Sequence, residues 1–354
     1  MPDSLVSICL PTRNRAARLR NSLATIRAQE YTSFEVIISD NCSDDDTEQV
    51  CREVTAVDPR FRYVRQPHNI GIHGNHNFTM DAARGEFVCI LHDHDVRDPQ
   101  MLREYMEFMR AHPRVGVVCA DWDLVGDDEK SLGLRPFDGS VITPGYDYIA
   151  QTIRAGRSSL GTPGALVRRE ALGSARFGVD APIGFGDFPI WFHVAESWDI
   201  GHIHTRRWSW RQNAESHSAR PIVSIARDYE KNLGGYCDDH LRRRPEHAAL
   251  VAQWRTSISR YLFWALAYEV GLHFRTRRAP KPGQTPRTLF EIMDYRLTPD
   301  QFDGVLRQLR SHRATSAEYV AFAAIQTLIR LRMTSPLGWA VRHQADARSL
   351  LGLN

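Results

Sequence analysis

The chain has 354 residues, of which 42% are apolar and 25% charged, with a net charge of +3, the balance of a soluble globular protein long enough for two packed units. The charge is uneven: residues 221–354 hold 20 Lys/Arg against 12 Asp/Glu and residues 1–220 hold 25 against 30, so the C-terminal part is the one expected to meet an anionic surface. Six cysteines, Cys9, Cys42, Cys51, Cys89, Cys119 and Cys237, show no CxxC or zinc spacing, and the best apolar run, Ile258 to Phe274, contains Arg260 and Glu269, which excludes a zinc module and a membrane-spanning helix. The N-terminus runs into a short strand without a basic-then-apolar leader. A cytoplasmic protein with reduced thiols is expected, touching a membrane peripherally at most.

In chain order, Leu5–Leu10 reads as a strand, left by the loop Pro11-Thr12-Arg13-Asn14-Arg15. Leu19, Leu23 and Ile26 recur at i, i+4 and i+7, which predicts a helix over Ala16–Gln29. Phe34–Ser39 is a second strand, followed by an acidic loop from Asp40 to Thr47 and a helix over Thr47–Val57. Phe61–Arg65 is a third strand, the helix His73–Ala83 is stopped by Arg84-Gly85, and Phe87–Leu91 is a fourth strand. Strand and helix alternating through short connections imply a parallel sheet with right-handed crossovers. The loops after all four strands then open on one edge, where ligands bind in such sheets. No GxGxxG follows the first strand and no GxxxxGK[ST] occurs, so a dinucleotide dehydrogenase and a P-loop enzyme are excluded.

The fourth strand ends in Leu91-His92-Asp93-His94-Asp95. If the chain stays extended there, Asp93 and Asp95 face one way and His92 and His94 the other. Paired carboxylates suit Mg²⁺ or Mn²⁺, which would bridge a diphosphate and neutralise it as a leaving group. The plainer alternative is a polar loop in which Asp98 caps the next helix. That helix is expected from Asp98 to Arg110, with Leu102, Tyr105, Phe108 and Met109 as its apolar stripe.

Val115–Ala120 is a strand, 126–145 a loop or hairpin, and Ser158–Arg168 carries Gly161-Thr162-Pro163-Gly164 into Ala165-Leu166-Val167. Asp187 stands between glycines and an apolar helix, Ile200–Trp210 is a strand, and 211–220 is a polar loop with His217. The expected domains are 1–220, an α/β unit, and 221–354, mainly helical, with helices at Ile222–Leu241, His247–Phe274, Leu289–Met293, Asp300–Leu309, Ala317–Met333 and Pro336–Leu351 and a linker at 275–287. The tryptophans at 191, 198, 208 and 210 are expected in the core.

The ordered stretches SICLPTRNR, FEVIISDNCSDDDT and HNIGIHGNHNFTMDAARGEFVCILHDHD resemble the inverting family-2 glycosyltransferases of the GT-A fold over residues 4–218. The resemblance implies a Rossmann-like, mostly parallel sheet flanked by helices, here with a C-terminal helical extension. It puts Pro11, Thr12 and Arg13 in the nucleotide pocket, Asp40 with Asn41 at the base, Asn69 and Gly71 over base and ribose, and Asn75 with Asn77 beneath. Asp95 falls on the last acid of the metal motif, with Asp93 as its partner. His94 stands where the preceding acid is usual, and imidazole serves there as a Mn²⁺ ligand or a ribose partner. Asp187 matches the catalytic base, although Gly186 replaces the acid usually before it; the competing reading makes Asp187 a helix cap. Arg211 fits a diphosphate clamp and His217 a further metal ligand.

The implied reaction is transfer of a sugar from a UDP-, dTDP- or GDP-sugar to a hydroxyl acceptor, whether glycan, lipid-linked or small molecule, with Mn²⁺ or Mg²⁺. The alternative is a sugar-nucleotide-binding protein without transfer activity. Nucleic acid is not an expected partner, since basic residues are interspersed with acids. The apolar, basic-flanked C-terminal stretches suit a homodimer interface, an acceptor cap, membrane-surface contact or plain packing on the catalytic domain.

Overall fold

The computed structural model describes residues 3–125, 131–135, 140–155, 158–179, 186–211, 222–275, 299–313, 318, 321–323 and 325–326. The chain forms two compact units, residues 1–152 with 157–216, and residues 153–156 with 217–354.

The first unit opens with β1 (Val6–Thr12), α1 (Ala16–Arg27), β2 (Phe34–Asp40), α2 (Thr47–Val57), β3 (Phe61–Arg65), α3 (Ile72–Asp81) and β4 (Phe87–Ile90). It continues through β5 (Val96–Arg97), α4 (Met101–Ala111), β6 (Val115–Val125), β7 (Ser131–Arg135), β8 (Ile142–Thr143), α5 (Gly145–Ala155), β9 (Ala165–Arg168), α6 (Arg169–Leu172), α7 (Phe188–Ala195) and β10 (Asp199–Arg211). One sheet holds the strands in the order β3-β2-β1-β4-β9-β6-β10-β5, with β7 on β6 and β8 on β10. The first four strands pair in parallel, β9 runs antiparallel between β4 and β6, and β6 pairs with β10 in parallel. This is the expected mixed α/β architecture around a mostly parallel sheet. Every residue of β1, β2 and β4 is buried, which is why these segments read as unbroken apolar runs rather than alternating ones.

Helices cover the sheet with the faces the sequence marks. Leu19, Leu23 and Ile26 of α1 are buried, as are Leu102, Tyr105 and Met109 of α4, joined by Met101 and Met106. Phe108 is half-buried and its ring lies against the position of Gly201. Trp191 and Trp208 are buried, whereas Trp198 and Trp210 are half-buried. β1 runs two residues past its expected end because Pro11 and Thr12 still pair with Ser39 and Asp40. The short strands β5 and β8 have no local signature; each exists by pairing antiparallel with β10. Of the stretch expected as a loop or hairpin, β7 returns antiparallel along β6, and 126–130 and 136–139 lie outside the described residues.

The amino edge of the sheet is tied by one polar knot. The Ser7 hydroxyl donates to Glu35 Oε1 at 2.7 Å and accepts the N–H groups of Arg84 and Gly85 at 3.0 and 2.7 Å. The turn after α3 is thereby held onto β1 and β2.

In the second unit, α8 (Ile222–Arg243), a short 3₁₀ turn (Pro245–His247), α9 (Ala248–Arg275) and α10 (Pro299–Ser311) follow one another. Tyr229, Leu233, Cys237, Trp254, Ile258, Leu262, Leu266, Val305 and Leu309 form its core. Residues 318, 321–323 and 325–326 are described within the stretch expected as a helix over Ala317–Met333. The expected linker, apart from Arg275, and the helices at Leu289–Met293 and Pro336–Leu351 lie outside the described residues, as does His217 with the 212–220 loop. Among the described residues no helix is long and apolar enough to cross a membrane.

Gly85 is a tight contact of the amino edge, since a Cβ there would sit 2.4 Å from the Leu5 carbonyl oxygen and 2.8 Å from the Ser7 nitrogen. Both are backbone atoms and cannot swing aside. Gly85→Ala is expected to cost ~1–3 kcal/mol, read as a lower urea midpoint at unchanged slope.

Candidate active site

The chain steps outward from β1 through β2 to β3 and then returns to place β4 on the other side of β1. At such a switch point a crevice opens at the carboxyl ends of the strands. One hydrogen bond spans it: Thr12, the last residue of β1, donates its hydroxyl to Asp93 Oδ2 at 2.6 Å. Pro11 beside it is buried and Arg13 is exposed. The loops after β1 and β2 are stitched together, with the Asn14 N–H on Ser43 Oγ at 2.9 Å and the Asp44 N–H on Asn14 Oδ1 at 2.8 Å. Each carries a non-glycine residue at positive φ, Asn14 at 52° and Cys42 at 60°, a conformation concentrated at binding loops.

Asp40 is fully buried. Its Oδ1 accepts the Ser43 N–H and hydroxyl at 2.9 and 2.5 Å, and its Oδ2 accepts the Tyr63 hydroxyl at 2.9 Å and Arg65 at 3.3 Å. A carboxylate offers about four acceptor positions, so here Asp40 shapes the loop, and a base would have to displace one of these donors. Asn41 donates to Asn69 Oδ1 and the Gly71 carbonyl at 2.8 and 3.1 Å and accepts the Ile70 N–H at 2.8 Å. These bonds bring Asn41, Asn69 and Gly71 together, with Gly71 at φ 79°, which a side chain would strain. Asn75 binds both the hydroxyl and the carbonyl of Ser39, at 2.6 and 2.8 Å. Asn77 instead clasps the backbone of Phe177, donating to its carbonyl at 2.9 Å and accepting its N–H at 2.8 Å.

Beyond β4 the chain does not stay extended: residues 93 and 94 form a turn. The expected alternation is therefore broken, and the imidazoles join the carboxylates. His94 Nδ1 lies 2.9 Å from Asp93 Oδ1 and His94 Nε2 lies 3.8 Å from Asp95 Oδ1. One ligand atom each from His92, His94 and Asp95 fall within 4.8 Å of one another, a set able to hold a metal ion. Asp93 is not in that set; its two oxygens are taken by Thr12 and His94.

Beneath the turn lies Arg97, 3% exposed. Its guanidinium donates to Ser22 Oγ at 2.5 Å, the Asp95 carbonyl at 2.6 Å and the His92 carbonyl at 2.5 Å.

Asp95 is fully buried, and Arg211 gives its backbone N–H to Oδ1 at 3.1 Å. Among the described residues nothing donates to Asp95 Oδ2. Burial raises the Asp95 pKa, opposed by the charges of His94 and Arg97. Burial also drives that of His92 well down, with the charges of His94, His76 and Arg97 acting the same way. For His94 burial pulls downward, but the Asp93 hydrogen bond and the charges of Asp95 and Asp93 outweigh it and the pKa rises.

Asp187 is the N-cap residue of α7 by backbone position, yet its side chain makes no capping bond. It instead accepts a short hydrogen bond from the Thr162 hydroxyl, and Thr162 Oγ1 in turn receives the Trp191 indole N–H at 3.2 Å. Burial raises the Asp187 pKa, partly offset by the Thr162 bond. Gly186 packs on His73, whose Nε2 would lie 2.4 Å from a Cβ there. A row of rings then runs from His73 to Phe177 (5.9 Å), His76 (4.8 Å), His92 (5.8 Å) and His94 (5.5 Å). This row of rings links the surroundings of Asp187 to the His92–Asp95 turn.

Nothing in the sequence alone singles out Arg97, Thr162, His73 or His76 as site residues. The Gly161-Thr162-Pro163-Gly164 turn was the one local signal for Thr162. Arg97→Met would leave the His92 and Asp95 carbonyls without their donor, at ~1–3 kcal/mol each where no water replaces it, and a lowered denaturation midpoint measures this.

A family model for glycosyl transferase family 2 matches residues 7–174. The GalNAc(5)-diNAcBac-PP-undecaprenol beta-1,3-glucosyltransferase of Campylobacter jejuni is 37% identical over 91 residues, 25% of this chain and 29% of that protein. The putative colanic acid biosynthesis glycosyl transferase WcaA of Escherichia coli is 33% identical over 105 residues, 29% of this chain and 37% of that protein. The chain spans 24% to 42% of the length of the curated relatives it matches. Among solved structures, S. aureus TarS 1-349 in complex with UDP-GlcNAc aligns with a TM-score of 0.52 at 16% identity, covering 87% of this chain and 92% of that one, which is a likeness of fold. The polar loops gathered at the carboxyl edge of this sheet thus lie within the segment that is similar to glycosyl transferase family 2, and the first unit has a GT-A-like fold.

Proposed function

We propose that the protein transfers a glycosyl group from a nucleoside-diphosphate sugar to a hydroxyl acceptor with inversion, using Asp187 as the base. The observation that carries this reading is the buried carboxylate of Asp187, oriented by Thr162 and linked through a row of rings to the turn that holds the unsatisfied Asp95 Oδ2. Asp187 takes the proton from the acceptor hydroxyl as that oxygen attacks the anomeric carbon. The diphosphate leaves on the opposite face, towards the 91–95 turn and Arg211, which inverts the configuration. Thr162, itself held by Trp191, fixes the carboxylate for this transfer. Burial makes Asp187 more basic than an exposed aspartate, which suits a proton acceptor near neutral pH.

His92, His94 and Asp95 are the residues that would hold a divalent cation. The orphaned oxygen of Asp95 supports this, and so does His94, which turns Nδ1 to Asp93 and Nε2 to Asp95, the arrangement in which a carboxylate orients a metal-binding imidazole. Two nitrogen donors favour Mn²⁺ over Mg²⁺. Such a cation, when bound, supplies positive charge that stabilises the departing diphosphate. Asn41, Asn69 and Gly71 are the residues we assign to the base and ribose, with a UDP-, dTDP- or GDP-sugar as donor. We place the reaction in the cytoplasm, in keeping with six free cysteines. Residues 1–220 form the catalytic domain in this reading and the helices from 221 a separate one.

Thermal melts with UDP, dTDP, GDP and CMP, each with and without Mn²⁺, test the donor assignment. One nucleotide at about a hundred times its dissociation constant is expected to stabilise by ~2.7 kcal/mol, and only with the cation. No shift with any of them would favour a protein that does not use this donor class.

Asp187→Asn is expected to lower kcat by ~10²–10⁴-fold while keeping the nucleotide-induced melt shift. A loss under about tenfold would remove Asp187 as the base. The wild-type kcat/KM should fall as pH drops through a pKa above the ordinary aspartate value of 3.8, because a raised pKa keeps the base protonated to higher pH. The variant should lack that limb.

A further inference from the structure

A second cluster of ligand-type side chains lies away from this site, on the parallel pair β6 and β10. Asp121 of β6 faces His202 and His204 of β10, two residues apart and so on one face of their strand. His202 Nε2 is 2.8 Å from Asp121 Oδ1, and His204 Nδ1 is 3.9 Å from the other oxygen, Oδ2. The two rings stand 5.1 Å apart, and one ligand atom from each of the three residues falls within 4.8 Å of the others. The strand register shifts between Ile203 and Arg206, and irregularities of this kind re-aim side chains. Asp121 and His202 are buried, whereas the His204 side chain is 39% exposed, which gives an ion a way in. Arg206, two residues beyond His204, is bonded to Asp123 at 2.9 Å.

A buried Asp–His hydrogen bond would need only two of these residues. The third, turned to the second carboxylate oxygen, is what a bound cation would use. We propose that Asp121, His202 and His204 bind a divalent transition ion of the zinc class, which clips β6 to β10 where their ladder is irregular. Two imidazoles and one carboxylate are a donor set that zinc takes at about 2.0–2.2 Å per bond, with water completing four-coordination. The cluster lies seven residues before Arg211 on β10, on the order of 20 Å at ~3.3 Å per residue, so its metal is distinct from any held by His92, His94 and Asp95.

The test is Zn²⁺ titration of the chelator-stripped full-length protein against a chromophoric chelator, in wild type and in His94→Ala, His204→Ala and the double variant, each with its far-UV circular dichroism recorded. His94→Ala is expected to keep one tight equivalent. His204→Ala should lose that equivalent, its affinity falling by at least ~100-fold, the upper end of what loss of a merely supporting residue costs. Co²⁺ added to His94→Ala should give visible d–d bands that the double variant lacks. His204→Gln, which leaves the Asp121–His202 bond in place, serves the same comparison should the alanine variant fold poorly. A tight equivalent retained by the double variant, or none bound by His94→Ala, would overturn the proposal.

Discussion

The site depends on a buried guanidinium. A cation removed from water is costly unless its donors are satisfied, and the two terminal nitrogens of Arg97 reach the carbonyls of His92 and Asp95 and the hydroxyl of Ser22, while its Nε has no partner among the described residues. Those carbonyls must therefore point down onto the guanidinium, which turns the chain over it and lets His92, His94 and Asp95 converge above. The same residue pairs with Trp208 through β5 and β10, and Ser22 belongs to α1. One buried charge thus couples a helix, the turn after β4 and the strand that brings Arg211 to Asp95.

Much of the first unit was legible because its signals are local. Unbroken apolar runs, helical spacing of Leu19, Leu23 and Ile26, and short connections define β1 to β4 and their helices, and parallel pairing then forces their loops to one edge. The geometry inside the turn was not legible. Whether Asp93 and Asp95 share a side depends on how far past Ile90 the chain remains extended, and that is decided by Arg97 from below. Thr162 and Asp187 are 25 residues apart, and Asn77 and Phe177 are 100 apart, so no spacing rule joins them. Short strands such as β5 and β8 carry no pattern of their own and take their form from β10.

The two places where the chain departs from the family pattern lie at opposite ends of one row of rings. At one end His94 stands for an acid, and Asp93 turns from a ligand into the group that orients His94. At the other, Gly186 stands for an acid, and the space its side chain would need is occupied by His73, which burial keeps on the neutral side of its ordinary pKa. Each exchange removes one negative charge from the site. A less negative site repels a diphosphate less and holds a divalent cation more weakly, because the attraction scales with the ligand charge. In the proposed reading a cation here would be held by nitrogen donors rather than by charge alone. That would shift the balance from a hard, all-oxygen ion to a borderline one, and under the proposed mechanism it leaves Asp187 as the one carboxylate of the pair to receive a proton. In the proposed mechanism the departures are thus coupled: the same loss of charge that would loosen a magnesium-type site leaves a single, buried and more basic aspartate for the work that the resemblance places beside a second acid.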